Sequence, residues 1–187
     1  MSYCKYVATI KDEGKRRLHA DYHDCHYGFP LDDDNELFGR LLLEINQAGL
    51  SWETILRKQD NFRRAYCNFV IVKVAAFTDE DRARLIADTG IIRNRLKINA
   101  AIENAKAILE IQRQYGSFGS WLTAHHPLTK EQWVKLFKNH FCFIGGEIVS
   151  EFLMSIGVLP GAHDPDCPIY NEVLKHKPLW ASILTKL

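Results

Sequence analysis

Apolar residues recur at steps of three and four positions along most of the chain, which is the pattern of a helix with one buried face. The clearest series follows an acidic stretch rich in capping residues: it starts at Leu37, passes through Leu41 and continues to Ala48. Gly49 stands where a helix C-terminus favours a left-handed residue. The pattern therefore predicts a helix in this segment that ends at Gly49.

Five more helices are predicted from the same periodicity and from capping residues. They begin after Ser51, at Thr78, at Arg95, at Thr129 and after Gly145-Gly146. Residues 69–77 resemble a strand, but because an isolated strand has nothing to pair with, we interpret them as a loop followed by a short helix. The prediction is an all-α fold that forms a single domain over 1–187, in which residues 168–187 are an unassigned tail.

The composition is that of a globular protein. The chain has 187 residues, of which 47% are hydrophobic and 25% are charged. No apolar run reaches the roughly 18 residues that a membrane helix needs, and the N-terminal residues lack the apolar stretch of a signal peptide. We therefore expect a cytoplasmic protein without a membrane partner.

Charge is unevenly distributed, although the net charge is only +1. Residues 57–106 hold 11 basic and 6 acidic side chains, whereas residues 1–56 hold 6 basic and 10 acidic ones. A basic middle third suits a polyanionic partner, but ordinary solvated helix faces give the same composition. Charge alone leaves both interpretations open.

Four soft ligands near the two ends of the chain have the chemistry of a metal site. His163 and Cys167 are four positions apart in a proline-bearing loop, and Cys4 and His23 lie in the N-terminal region. Two thiolates and two imidazoles complete a closed, structural zinc shell. Because both ends are expected to be rich in loops, a metal that joins them would stabilise them. Spacing alone also fits buried free thiols and unrelated histidines.

Several short motifs follow one another along the chain in a recognisable order. They are Tyr22-His23-Asp24, Tyr27-Gly28, Glu44, Gln47-Ala48-Gly49-Leu50-Ser51-Trp52, Val72-Lys73-Val74-Ala75-Ala76, Gly90-Ile91-Ile92-Arg93, Lys97-Ile98 and Phe141-Cys142-Phe143-Ile144-Gly145. On these motifs the chain resembles the DNA-3-methyladenine glycosylase I family of the helix-hairpin-helix glycosylase superfamily. The resemblance extends from Cys4 to Cys167 and implies an all-α, helix-hairpin-helix glycosylase fold.

The resemblance implies an enzyme of DNA repair that flips 3-methyladenine out of double-stranded DNA and hydrolyses its N-glycosidic bond without a lyase step. Methylation leaves this base cationic, so its pocket needs a carboxylate and aromatic faces. Glu44 is implied as the carboxylate that contacts the base. We take it as the candidate catalytic residue, and the sequence leaves three roles open: a base, an electrostatic stabiliser or a binding group only. The implied aromatic pocket residues are Tyr22, Tyr27, Trp52 and His19. One structural zinc ion is implied on Cys4, His23, His163 and Cys167, and we expect a monomer.

Contacts to DNA are also implied. Gly49 and Leu50 form a tip between two helices that would wedge into the gap left by the flipped base. The hairpin Phe141 to Gly146 would approach a phosphate through the backbone of Gly145 and Gly146, although a tight turn between helices explains these glycines as well. The implied phosphate contacts are Arg93, Arg95 and Lys97.

Two pocket positions depart from the family pattern. His19 stands where a tyrosine is usual, and Tyr27 where a tryptophan is usual. A histidine beside a cationic base has to be neutral, so we expect activity to weaken below about pH 6.5. These departures keep a second hypothesis open, a zinc-stabilised DNA-binding module without catalysis. A zinc hydrolase is disfavoured because four protein ligands leave no open position on the metal.

Overall fold

The computed structural model describes residues 1–186, with only the backbone described at 183–186. These residues form eleven α-helices and two 3₁₀ segments, and they contain no β-strand. No helix among them is both long and apolar enough to cross a membrane. The helices are α1 (Tyr3–Thr9), α2 (Glu13–Cys25), α3 (Asp34–Gln47), α4 (Trp52–Ala65), α5 (Ile71–Ala75), α6 (Asp79–Ala87), α7 (Arg95–Tyr115), α8 (Phe118–His125), α9 (Lys130–His140), α10 (Gly146–Ser155) and α11 (Pro168–Lys175); the 3₁₀ segments are Cys67–Phe69 and Leu179–Lys186.

The helices predicted from periodicity are present as α3, α4, α6, α7, α9 and α10. Ser51 accepts a hydrogen bond from a backbone N–H in the first turn of α4, and Thr129 and Gln132 form the capping box of α9. Gly49 has a φ of +81° just after α3. Residues 69–77 contain the end of a 3₁₀ turn and then α5, as interpreted. The all-α prediction is confirmed for the described residues.

The prediction of loop-rich ends is wrong, because α1, α2 and α11 occupy much of both terminal regions. Ser2 and Asp12 cap α1 and α2 through their side chains, and Pro168 starts α11, where its fixed φ suits the first helical position. The periodicity of α2 is concealed because its buried side chains are two histidines and a tyrosine rather than aliphatic residues.

Helix α3 is the central element of the fold and contacts α4, α7, α8 and α10. One face of α3 carries Leu37, Leu41 and Leu42, each no more than 1% exposed, into the main hydrophobic core. A second, smaller apolar cluster lies beside this core, and its buried members are Tyr22, Tyr27, Leu56 and Ala162. The region between the two clusters is where the predicted site residues meet.

The C-terminal segment packs onto the loop that follows α10. The backbone N–H of Trp180 donates to the carbonyl of Gly157 at 3.3 Å, and the rings of Tyr170 and Trp180 lie 6.0 Å apart. Gly157 has a φ of +70°, and a Cβ there would approach Pro178 to 2.9 Å. The unassigned tail is therefore structured and packed as far as residue 182; Leu187 lies outside the described residues.

Candidate functional site

A cavity of about 590 Å³ lies between α1, α2, α3, α4 and α10. This volume falls in the range of ligand pockets, roughly 300–1,000 Å³. Four residues singled out from the sequence line it together, namely Tyr22, Tyr27, Glu44 and Trp52. They come from three different helices and one loop, so the fold gathers residues that lie far apart in the chain.

Glu44 places a carboxyl group inside the protein. The residue is only 3% exposed, and its carboxyl group has no hydrogen-bond partner among the residues whose side chains are described. Burial raises the pKa of Glu44 to about 8; the nearby charge of Arg40 opposes this rise, and that of Glu151 adds to it. An unpaired buried carboxylate is costly unless a cation or a donor completes it. Glu44 therefore suits a cationic ligand.

Aromatic rings form one side of the cavity. The ring of Tyr22 lies 5.0 Å from that of Trp52 and 5.7 Å from that of Tyr27, with angles of 59° and 36° between the planes. The indole nitrogen of Trp52 is buried and has no hydrogen-bond partner within the described part of the chain. The cavity thus offers aromatic ring surfaces to a flat ligand.

His19 does not line the cavity, so its prediction as a base-binding residue is corrected. It is 1% exposed and packs at an angle against the rings of Tyr3 and Tyr6, with its Nδ1 2.8 Å from the hydroxyl of Tyr3. Helix α1, which periodicity did not predict, inserts these two tyrosines between His19 and the cavity. Burial lowers the pKa of His19. Because His19 does not line the cavity, it gives no reason to expect a loss of activity in mild acid.

Sequence reasoning missed other residues around the cavity. They are Tyr3, Tyr6, Gln47, Glu147, Glu151 and Met154. Glu151 accepts a hydrogen bond from the hydroxyl of Tyr27 at 3.1 Å. Its sequence signal was a charged residue within the apolar series of α10, but periodicity does not show what such a residue faces.

The four predicted metal ligands do meet. One ligand atom from each of Cys4, His23, His163 and Cys167 lies within 4.8 Å of all the others. His163 Nδ1 is 3.7 Å from the sulfur of Cys4 and 3.8 Å from that of Cys167, and His23 Nε2 is 3.9 Å from the sulfur of Cys167. A tetrahedral zinc site with ordinary bond lengths separates nitrogen and sulfur ligands by about 3.6 Å. The donor set and its dimensions therefore suit a tetrahedral metal ion.

Neighbouring groups orient both histidines of this cluster. His163 Nε2 lies 2.7 Å from the carbonyl oxygen of Tyr27, and His23 Nδ1 lies 2.6 Å from the carboxylate of Asp24, so the other ring nitrogens face the cluster. Gly28, with a φ of +85°, permits this arrangement, since a Cβ there would lie 2.8 Å from Ala162 and 3.2 Å from the His163 ring. The motif glycine is thus explained by close packing at the cluster.

The two loops predicted to contact DNA reach the surface. Leu50, at the tip after α3, is 40% exposed. The side chain of Asn104 on α7 holds the hairpin before α10 through both backbone groups of Cys142, at 2.7 and 3.2 Å. Gly145 precedes α10, no side chain caps that helix, and a Cβ on Gly145 would meet nothing within 4 Å. The N–H groups at the start of α10 therefore have no side-chain acceptor among the described residues.

The predicted phosphate contacts divide into two groups. Arg93 and Arg95 are exposed, whereas Lys97 is 4% exposed. The ammonium group of Lys97 donates to the carbonyl oxygens of Asn46 and Ala48 at 2.8 and 2.7 Å, at the end of α3 where a cation is favoured. The prediction for Lys97 is therefore corrected: α7 packs against α3, and this side chain supports the helix end.

We expect Lys97→Met to lower the free energy of unfolding by about 2 kcal/mol, since it removes the donor from two carbonyl groups at a buried helix end. Urea denaturation measures this loss. Arg95→Met is the matched control, because its exposed side chain lies on the same helix, and its effect should stay within about 0.5 kcal/mol. Equal effects of the two variants would contradict the assignment of Lys97.

A helical body that surrounds a buried carboxylate with aromatic rings is suited to binding a flat, cationic ring. Comparison with known proteins agrees with this geometry, because residues 13–135 match the family described as methyladenine glycosylase. The chain belongs to this family.

Two curated relatives and one solved structure support this assignment. The chain is 35% identical to DNA-3-methyladenine glycosylase 1 of Escherichia coli (strain K12), over 76% of this chain and 86% of the relative. It is 33% identical to DNA-3-methyladenine glycosylase of Haemophilus influenzae, over 83% of this chain and 94% of the relative. The solved structure is that of 3-methyladenine DNA glycosylase I from Staphylococcus aureus, determined to explain how that protein recognises 3-methyladenine. It matches this chain with a TM-score of 0.79 and 31% sequence identity, over 90% of this chain and 97% of the other.

Proposed function

We propose that this protein removes 3-methyladenine from DNA by hydrolysing the N-glycosidic bond, and that the cavity at Glu44 receives the extruded base. The observation that carries the proposal is the buried, unpaired carboxyl group of Glu44 in a ring-lined cavity. The names of the relatives above indicate the substrate, and the chemistry of the cavity gives a physical reason why this substrate would bind. A methylated adenine in DNA is flat and positively charged, so it complements both features.

The reaction needs little more than binding and orientation. Water adds to C1′ of the sugar, the bond from C1′ to the base breaks, and the base leaves with the bonding electrons as a neutral purine while water loses a proton. The sugar becomes cation-like on the way, so a fixed negative charge nearby stabilises the transition state. None of the described residues that line the cavity is a lysine, which favours hydrolysis without a lyase step.

In this mechanism Glu44 is the catalytic residue. Its carboxylate faces the cationic base, and the rings of Tyr22 and Trp52 line the same cavity. Burial raises the pKa of Glu44 to about 8, and a cationic base beside it stabilises the ionised form.

We propose that DNA binds across the tip at Gly49-Leu50 and the hairpin before α10. Leu50 is exposed where an inserting side chain has to be, and the uncapped N-terminus of α10 offers backbone N–H groups to a phosphate. Arg93 and Arg95 add exposed positive charge. In this proposal the substrate is double-stranded DNA, and the protein acts on it as a monomer in the cytoplasm.

We also propose that Cys4, His23, His163 and Cys167 hold one zinc ion. The separations within the cluster and the orientation of both imidazole rings support this assignment. Zinc would supply no chemistry to the reaction, because its four protein ligands leave no position for water or substrate. Its role is to join α1 and α2 to the loop before α11.

Incubation of the protein with methylated duplex DNA, followed by chromatography of the released bases, tests the proposed function. We expect free 3-methyladenine and intact DNA strands, because no lyase step follows. The alternative, a zinc-stabilised binding module without catalysis, is not favoured by the family membership. It would be supported if the folded protein bound the DNA and released no base, and that result would overturn the proposal.

A further inference from the structure

We infer that Glu151 is a second carboxylate of the base pocket and that it makes the pocket select cationic bases over neutral ones. The inference rests on the proposed function and deepens it. Glu44 comes from α3, whereas Glu151 comes from α10, and both line the same cavity. The base would therefore be exposed to negative charge from two different helices.

A hydrogen bond fixes the position of Glu151. The hydroxyl of Tyr27 donates to its carboxylate at 3.1 Å, and Tyr27 itself is held by the aromatic cluster around Tyr22. Glu151 is half-buried, so its charge is less screened by solvent than a surface charge. A fixed and partly desolvated carboxylate interacts with a ligand more strongly than a mobile surface carboxylate does.

Two cations act on these carboxylates without forming an ion pair with them, Arg40 on Glu44 and Lys130 on Glu151. The guanidinium of Arg40 donates instead to the hydroxyl of Tyr22 at 3.2 Å and to the carbonyl of Ser155 at 3.3 Å, and the ammonium group of Lys130 lies 3.5 Å from Glu147. No ion pair joins Arg40 to Glu44 or to Glu151 in the described part of the chain. Burial raises the pKa of both glutamates despite these two nearby positive charges.

The unpartnered, 3% exposed Glu44 shows that the cavity is prepared for a ligand, and Glu151 indicates the charge of that ligand. A cationic base satisfies both carboxylates, whereas unmodified adenine, which is neutral, satisfies neither. The same contrast favours release of the product, because the base becomes neutral when the glycosidic bond breaks.

The test uses two probes, the fixed cation 3,9-dimethyladeninium and the free base 3-methyladenine, titrated calorimetrically at pH 8, where the free base is neutral. We expect Glu151→Gln to weaken binding of the cation about tenfold and binding of the neutral base less than about twofold. Glutamine keeps the size of the side chain and can still accept the hydrogen bond from Tyr27. Glu172→Gln, an exposed carboxylate on α11, is the matched control for net charge and should change neither value.

Two further variants separate Glu151 from Glu44. In Glu44→Gln, a preference for the cation should remain, and in the double variant Glu44→Gln/Glu151→Gln it should disappear. If Glu44→Gln alone abolishes the preference, or if Glu151→Gln weakens both probes equally, Glu151 does not select charge and the inference is overturned. Wild-type protein that binds the cation but releases no 3-methyladenine from DNA would instead overturn the proposed function.

Discussion

Glu44→Gln is expected to slow the release of 3-methyladenine from methylated DNA about 100-fold or more, because it removes the negative charge that faces the base in the transition state. The same variant is expected to be more stable than the wild type at pH 8. The folded protein holds the Glu44 proton with a pKa of about 8, against an ordinary value of 4.5. The folded state therefore binds more protons than the unfolded chain between these two values.

The wild type accordingly loses stability as the pH rises from about 4.5 to 8, whereas glutamine does not ionise. The two proteins should have nearly equal free energies of unfolding at pH 4.5. By pH 8 the variant should be more stable by a few kcal/mol, on the order of 1.4 kcal/mol for each unit by which burial raises the pKa.

Base release by chromatography and urea denaturation at both pH values measure these effects, with Glu172→Gln as the control for a lost surface charge. The pH profile of kcat/KM adds a third measurement. In the wild type, kcat/KM should rise toward pH 8. The groups around Glu44 are Arg40, Tyr22, Tyr27 and Glu151, and the net effect of burial keeps Glu44 protonated below that pH. Unchanged base release, or the same pH dependence of stability in both proteins, would refute the assigned role of Glu44.

Cys167→Ser is expected to abolish stoichiometric zinc binding and to lower the Tm by about 10 °C, because the folded state alone assembles the four ligands. Elemental analysis of purified protein should give one zinc per chain in the wild type. A chelator should lower the Tm of the wild type but not that of the variant.

Cys25→Ser provides the control for replacing a cysteine nearby, since Cys25 is an exposed free thiol at the end of α2. It should keep its zinc and its Tm. Equal zinc in wild type and Cys167→Ser would remove the metal assignment, while the glycosylase assignment would stand on base release alone.

The local sequence predicted most of the helices because their causes are local. The aliphatic series of α3 and the capping boxes of α6 and α9 need only neighbouring residues. Helix α2 escaped prediction because its buried face consists of aromatic and imidazole groups. Hydrophobic periodicity detects aliphatic helix faces, whereas the buried face of α2 carries histidines and a tyrosine.

The site was less predictable because side-chain direction depends on packing. Glu44 lies off the aliphatic face of α3, where composition favours a solvated glutamate, and its importance came only from the family resemblance. Lys97 and His19 were placed by residue type and by position in the motifs, yet α7 directs the first onto a helix end and α1 covers the second. Glu151 was missed because no nearby motif marks it.

Helix α7 also links the two loops that we propose to contact DNA. Lys97 forms hydrogen bonds to the backbone before the Leu50 tip, and Asn104 forms hydrogen bonds to the hairpin backbone. Both surface loops are therefore held by side chains of the same helix. These bonds favour a set spacing between the two loops, so we expect the nucleic acid to distort when it engages both. Base pairs whose stacking is already weakened should then be opened first.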